Sequence, residues 1–283
     1  MPEHRITNLA ALGDTSVLLH RTALAQTPAV LGTSTTSSEL KVVMTSPSLK
    51  KYAQYFADWP LRDGPEKPSV PLRTVNSWKN FVKALEEFAV IDKLYMFFHG
   101  TPGSMVAGGD IKRLDAVAKL LASVQLKVRN EILIESCNVA ENPAPLVPFA
   151  EALRAPKISA WNHYHVFDEV PPLTVPQGTP REDLEAVLLP YNSYLVPRSP
   201  TVDQILAKPG KWRLVVEWFR QDDNNAKLPT DPDDLESRTK IFRPRSEAKR
   251  RTIKSDEVEA LREEYASSAS RNLERVTITL PTP

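Results

Sequence analysis

The sequence predicts an α/β protein built on a mostly parallel sheet, and three observations carry that reading. Short apolar runs recur at residues 40–46, 92–100, 130–137 and 157–161, and segments with helical spacing of apolar residues separate them. The runs are nearly continuous rather than alternating, which is the pattern of strands covered on both faces. Strand and helix then alternate from residue 40 to residue 161, which calls for helices on both sides of the sheet, a three-layer sandwich.

Each element follows in order. LKVVMTS (40–46) is a strand with β-branched residues, and SLKKYAQYFADW (48–59) is a helix with Ser48 at its N-cap. The proline-rich PLRDGPEKPSVP (60–71) is a turn region. VNSWKNFVKALEEFAVI (75–91) places Trp78, Phe81, Val82, Leu85 and Phe88 at helical spacing. DKLYMFFHG (92–100) is the second strand, and DIKRLDAVAKLLASVQL (110–126) is an amphipathic helix on which Asp110 and Asp115 cap and face solvent, with the cleft wall as the alternative place for Asp110. NEILIESC (130–137) is the third strand, APLVPFAEALRA (144–155) a helix, and KISAW (157–161) the fourth strand. Beyond residue 168 come a loop (170–180), a strand in WRLVVEWF, a polar stretch (222–234) expected to be mobile, a basic stretch (238–251) and a terminal helix (255–276). The chain therefore divides into an N-terminal segment (1–39) with the linker-like TSTTSS, a core (40–168) and a C-terminal extension (169–283).

Composition narrows the function. The 283 residues carry a formal net charge of +1, with 41% hydrophobic and 25% charged residues, so the whole chain offers no electrostatic case for nucleic acid or an anionic membrane. The basic stretch lacks interleaved aromatics apart from Phe242 and follows an acidic one. It reads as a solvated segment, or as an autoinhibitory or cleavage-prone tail. Prolines number 25 against 9 glycines, which predicts many extended or sharply turned segments. A single cysteine, Cys137, rules out an intramolecular disulfide and fits a reducing compartment. No signal peptide is visible at the N-terminus, and no run approaches the ~18 apolar residues of a membrane span. The expectation is a soluble, cytoplasmic protein.

Two strands end on reactive side chains. LYMFF runs into His99 and EILIES runs into Cys137. In a parallel sheet both ends lie on the carboxyl edge, where such folds place their active groups. An imidazole beside a thiol can take its proton, raise the thiolate fraction and later protonate a leaving group. Gly100 lets the backbone approach a substrate closely and can aim its N–H at an oxyanion. Taken singly, each residue has a plain structural reading, since lone cysteines are commonly buried and inert. The HGTPGS stretch also suits the oxyanion loop of an α/β-hydrolase, but the chain contains no G-x-S-x-G elbow. WNHYH (161–165) follows the fourth strand on the same edge. Trp161, Asn162 and His163 are expected at the wall of a substrate pocket. His163 and His165 share a face, but a metal site would need further ligands.

FFHGTPGSMVAGG followed by ILIESCNVAENPAPLVPFAEALRAPKISAW resembles the caspase-like, clan CD cysteine peptidases of the caspase-hemoglobinase fold. The likeness is to their bacterial branch, which includes an HGxPG…GCNVA domain, CHAT domains and toxin autoprocessing domains, and it spans residues 40–165. The resemblance implies a hydrolase with His99 as general base, Cys137 as nucleophile and the Gly100 and Cys137 N–H groups as oxyanion hole. It implies a protein or peptide substrate, with no cofactor and no metal, and it allows for an activating partner. Glu135-Ser136 stands where that family often has a small residue and glycine, and Glu141-Asn142-Pro143 where it often has a glycine-rich turn. Strand alternation places Glu135 on the Cys137 face, where its charge would raise the thiol pKa. The competing expectation is a catalytically silent domain that binds a partner through the same sheet edge.

Overall fold

The computed structural model describes residues 40–57, 70–196, 199–220, 242–268 and 272–281. The segment 1–39, most of the proline-rich region 60–71 and the polar stretch 222–234 lie outside the described residues. The first strand, Lys41–Thr45 (β1), leads through a 3-10 turn, Pro47–Leu49, into a helix, Lys50–Ala57 (α1). Ser48 sits inside that turn and does not cap the helix. Leu72–Thr74 (β2) precedes Trp78–Leu85 (α2), whose first turn is capped by the Ser77 hydroxyl accepting from the Asn80 N–H. Trp78, Phe81, Ala84 and Leu85 form its buried stripe.

Val90–Phe97 (β3) is followed by three short strands, His99–Thr101 (β4), Ser104–Ala107 (β5) and Asp110–Arg113 (β6), which pair antiparallel in that order. This small sheet replaces the loop and first helical turn expected from the sequence. Asp110 opens β6, and its carbonyl accepts from the Trp78 indole. Asp115 lies in the first turn of Leu114–Leu120 (α3), where the hydrogen-bonding guanidinium of Arg113 holds its carboxyl low. Lys127–Ile134 (β7), Leu146–Ala152 (α4) and Lys157–Trp161 (β8) then follow as the apolar runs predict.

The remaining chain forms Tyr164–Glu169 (β9), Leu173–Val175 (β10), Arg181–Leu188 (α5), Val202–Leu206 (α6), Gly210–Trp212 (β11), Val215–Arg220 (β12) and Phe242–Pro244 (β13). It closes with Lys249–Lys254 (β14), Val258–Ser267 (α7) and Glu274–Thr279 (β15). Two expectations change here. The terminal helix stops at Ser267, and the ERVTIT that follows is a strand, as its β-branched residues favour. The end of the basic run is an ordered, largely exposed edge strand rather than a tail, since Lys249–Lys254 pairs with β15 and Arg251 forms a two-pronged pair with Glu264, while residues 238–241 lie outside the described residues.

The central sheet has seven strands in the order β14-β15-β8-β7-β3-β1-β2. From β2 to β8 all neighbours are parallel, while β15 runs antiparallel to β8 and parallel to β14. The extension is thus woven into the core sheet. One face carries the main core, in which Val42, Met44, Leu94, Met96, Ile132 and Ile158 pack against α2, α3, α4 and α7. Val43 and Phe97 point to the other face, where α1 and Phe167 cover them. A second core forms under β12, with Leu184, Leu188, Ile205 and Trp218. No helix among the described residues is long and apolar enough to cross a membrane.

Because β15 covers the open edge of β8, a chain shortened before β14 exposes a long apolar edge. Deletion of residues 249–283 is expected to abolish cooperative thermal unfolding and drive the protein into aggregates, measured by calorimetry and light scattering.

Candidate functional site

The site grows from the parallel pairing of β3 with β7, which brings their carboxyl ends side by side. Beyond the last ladder pair the two chains stay fastened. The Glu135 N–H donates to the Met96 carbonyl (2.8 Å), and the Phe98 N–H donates to the Ser136 hydroxyl (3.3 Å). Ser136 in turn faces Met105 Sδ on β5. His99 and Cys137 each follow immediately after these contacts, so the two predicted reactive residues stand just beyond the ends of adjacent strands. His99 is exposed and Cys137 half-buried.

The two glycines of the HGTPG stretch explain how closely these segments meet. A Cβ added at Gly100 would lie 2.5 Å from the Cys137 carbonyl oxygen and 2.7 Å from Val139 Cγ2. The sequence suggested that Gly100 makes room for substrate, and the structure shows it making room for the backbone of Cys137. Gly103, at φ 68°, donates its N–H to the Val139 carbonyl (3.0 Å), with Pro102-Gly103 as the turn of the β4–β5 hairpin. Thr101 and Ser104 flank that turn as its hydrogen-bonded pair, so the alternation of an antiparallel ladder turns the Gly100 N–H away from β5. Just after the cysteine, Asn138 takes the left-handed conformation (φ 52°) that asparagine tolerates, and its N–H donates to the His163 carbonyl (3.0 Å).

Two contacts were not read from the sequence. Ser48 Oγ is hydrogen-bonded to His99 Nε2 at 3.1 Å, and Ser46 Oγ lies 3.1 Å from Ser48 Oγ. The hydroxyl was visible as a candidate cap, but only the β1–β3 pairing reveals that it reaches the imidazole. The second is the Cys137 thiol itself, which donates to the backbone carbonyl of His165 at 3.2 Å.

Trp161, Asn162 and His163 stand near the same edge, and all three are buried. Asn162 fastens β15 and its approach. Its amide donates to the Tyr265 hydroxyl and the Asn272 carbonyl, and its oxygen accepts from the Glu274 N–H. The His163 Nδ1 bonds the same Asn162 oxygen. Burial and the Glu274 carboxylate together push the Tyr265 hydroxyl upward. Trp161 donates its indole N–H to Glu135 (2.9 Å) and lies under the Arg275 guanidinium. These residues join the core to the extension.

Glu135 does face inward on the Cys137 side, but its charge is compensated. Arg275 donates to it at 3.1 Å. Burial alone would push this carboxyl up, and Arg275, His165, Arg245 and the Trp161 N–H outweigh burial and hold it at about 2. Glu217, fully buried on β12, pairs with Arg245 and with His165 Nε2. Glu135, His165 and Glu217 place ligand-type atoms within 4.8 Å of one another, the geometry of a cation site. Both carboxylates already hold a guanidinium, however, so a dication would meet two positive groups.

No family model matches this sequence, and no curated protein matches it.

Substituting Gly100→Ala is expected to cost about 1–3 kcal/mol, because the methyl group meets backbone rather than a movable side chain. It should also lower the alkylation rate of Cys137, and urea unfolding with thiol labelling reads both. Glu135→Gln leaves Arg275 buried without its carboxylate and is expected to cost about 3–5 kcal/mol at pH 7. The ionised Glu135 contributes stability above the unfolded value of 4.5, and that contribution fades as pH falls toward about 2. The deficit of the variant should therefore shrink across that window in urea titrations at stepped pH.

Proposed function

We propose that this chain is a cysteine peptidase of the caspase-like type, acting through His99 and Cys137. The observation that carries the reading is the close approach of Gly100 to the Cys137 backbone, which leaves no room for any other residue. Such an approach ties the imidazole-bearing segment to the thiol-bearing one, as a working pair requires. The mostly parallel central sheet is compatible with the fold that the resemblance of residues 40–165 implies.

In this mechanism His99 takes the Cys137 proton, and the thiolate attacks the carbonyl carbon of a peptide bond. The N–H groups of Gly100 and Cys137 stabilise the oxyanion of the tetrahedral intermediate. His99 returns its proton to the departing amine, leaving a thioester on Cys137. Water, deprotonated by His99, then attacks the thioester and releases the carboxylic acid and the thiol. Ser48 orients the imidazole through Nε2, as a third member orients the base in other nucleophile–base systems. Trp161, Asn162 and His163, buried and joined to the extension, have no substrate contact in this mechanism.

One observation favours a catalytically silent, partner-binding domain. The thiol donates to the His165 carbonyl, an acceptor that a thiolate cannot satisfy. Alkylation separates the two readings. A peptidase should show rapid iodoacetamide labelling of Cys137 near neutral pH that falls at least about tenfold in His99→Ala, together with cleavage of a peptide library that Cys137→Ala abolishes. Slow labelling unaffected by His99→Ala, with no cleavage, would favour the silent domain.

A further inference from the structure

We propose that His165 is a positioning residue for Cys137: its ring, locked by Glu217 from the extension, fixes the backbone carbonyl that holds the thiol. The inference deepens the peptidase reading and rests on it only in calling Cys137 the nucleophile.

The His165 side chain is completely buried. Nε2 bonds the Glu217 carboxylate, whose second oxygen accepts from Arg245. Among the described residues Nδ1 has no hydrogen-bond partner, and it faces the Glu135 carboxylate at 3.9 Å, itself paired with Arg275. The ring stacks on Phe219 (5.0 Å, 16°) and packs against Phe167 and Trp161. Two carboxylates and two guanidiniums surround the ring, so their formal charges cancel. The hydrogen bond to Glu217 thus fixes the orientation of a ring packed in this layer, and the backbone carbonyl of the same residue is held with it.

That carbonyl is where the clamp meets the chemistry. Two consecutive outward carbonyls of the His163–His165 segment hold the nucleophile turn, one at the Asn138 N–H (3.0 Å) and one at the Cys137 thiol (3.2 Å). The acceptor at 165 favours sulfur that keeps its proton, so the clamp sets a resting thiol in a defined position. Residues of β12 and the turn after β13, far from the core in sequence, thereby govern the cysteine through one backbone atom.

The test is the pH dependence of iodoacetamide labelling of Cys137 in the full chain, read by mass spectrometry. His165→Ala removes the clamp. Glu217→Asp keeps the charge but shortens the reach to Nε2, and it carries the test if the alanine variant does not fold. Phe219→Leu loosens the same layer while leaving the hydrogen bonds. Both clamp variants are expected to move the inflection of the rate profile down by about half a pH unit, a roughly threefold faster reaction at pH 7. Phe219→Leu should lower the Tm without moving the inflection. Clamp variants with unchanged inflections, or a Phe219→Leu shift as large as theirs, would overturn the proposal. His99→Ala in the same series reports on the peptidase reading separately, since the clamp acts on the thiol whether or not the imidazole activates it.

Discussion

The site depends on one steric fact, that two backbones meet where a side chain would have stood. At Gly100 the missing Cβ admits the Cys137 carbonyl, and at Gly103 a left-handed turn lets the hairpin tip donate to Val139. The parallel ladder of β3 and β7 aims both chains at the same edge, but a ladder fixes only direction and spacing. The glycines convert neighbouring strand ends into a contact, and Ser136, bonded to Phe98, holds that contact from beneath. Any chemistry at this edge inherits its precision from there.

Much of this was legible in the sequence, and the reason is period. Continuous apolar runs announced β1, β3, β7 and β8, and the stripe from Trp78 to Leu85 announced α2, because buried elements leave strong patterns. His99 and Cys137 were visible as residues that end such runs. The β4–β6 hairpin was not, since its strands are three or four residues long and DIKR reads equally well as a helix start. The strand ERVTIT was hidden by the helical run before it. The contacts that Trp161 and Asn162 make were not legible either, because their partners, Arg275, Tyr265 and Glu274, lie more than a hundred residues away. Such pairings leave no local signal.

The buried ionic layer illustrates the same point from the energetic side. Burying two carboxylates, the Arg275 guanidinium and an imidazole, with Arg245 partly exposed beside them, carries a desolvation penalty that good geometry only about offsets. Its value lies in selectivity of arrangement. Glu135 follows β7, Arg275 lies on β15, Glu217 on β12 and Arg245 after β13, so one register of four separate segments satisfies all of them. Apolar side chains of equal volume would hold these segments together and tolerate slippage.

The placement of β15 also orders events in time. Arg275 meets Glu135 across 140 residues of chain, and β15 is the strand that covers β8. During synthesis the parallel strands β1 to β8 emerge first, and they can pair while that edge is still bare. The partner of Glu135 arrives only once residues 274–279 have left the ribosome, and contacts of such sequence separation close slowly. Until then Glu135, two residues before the cysteine, lacks the guanidinium that donates to it. The edge that carries Cys137 is therefore complete only after β15 has joined the sheet, although the residues that define it are made early.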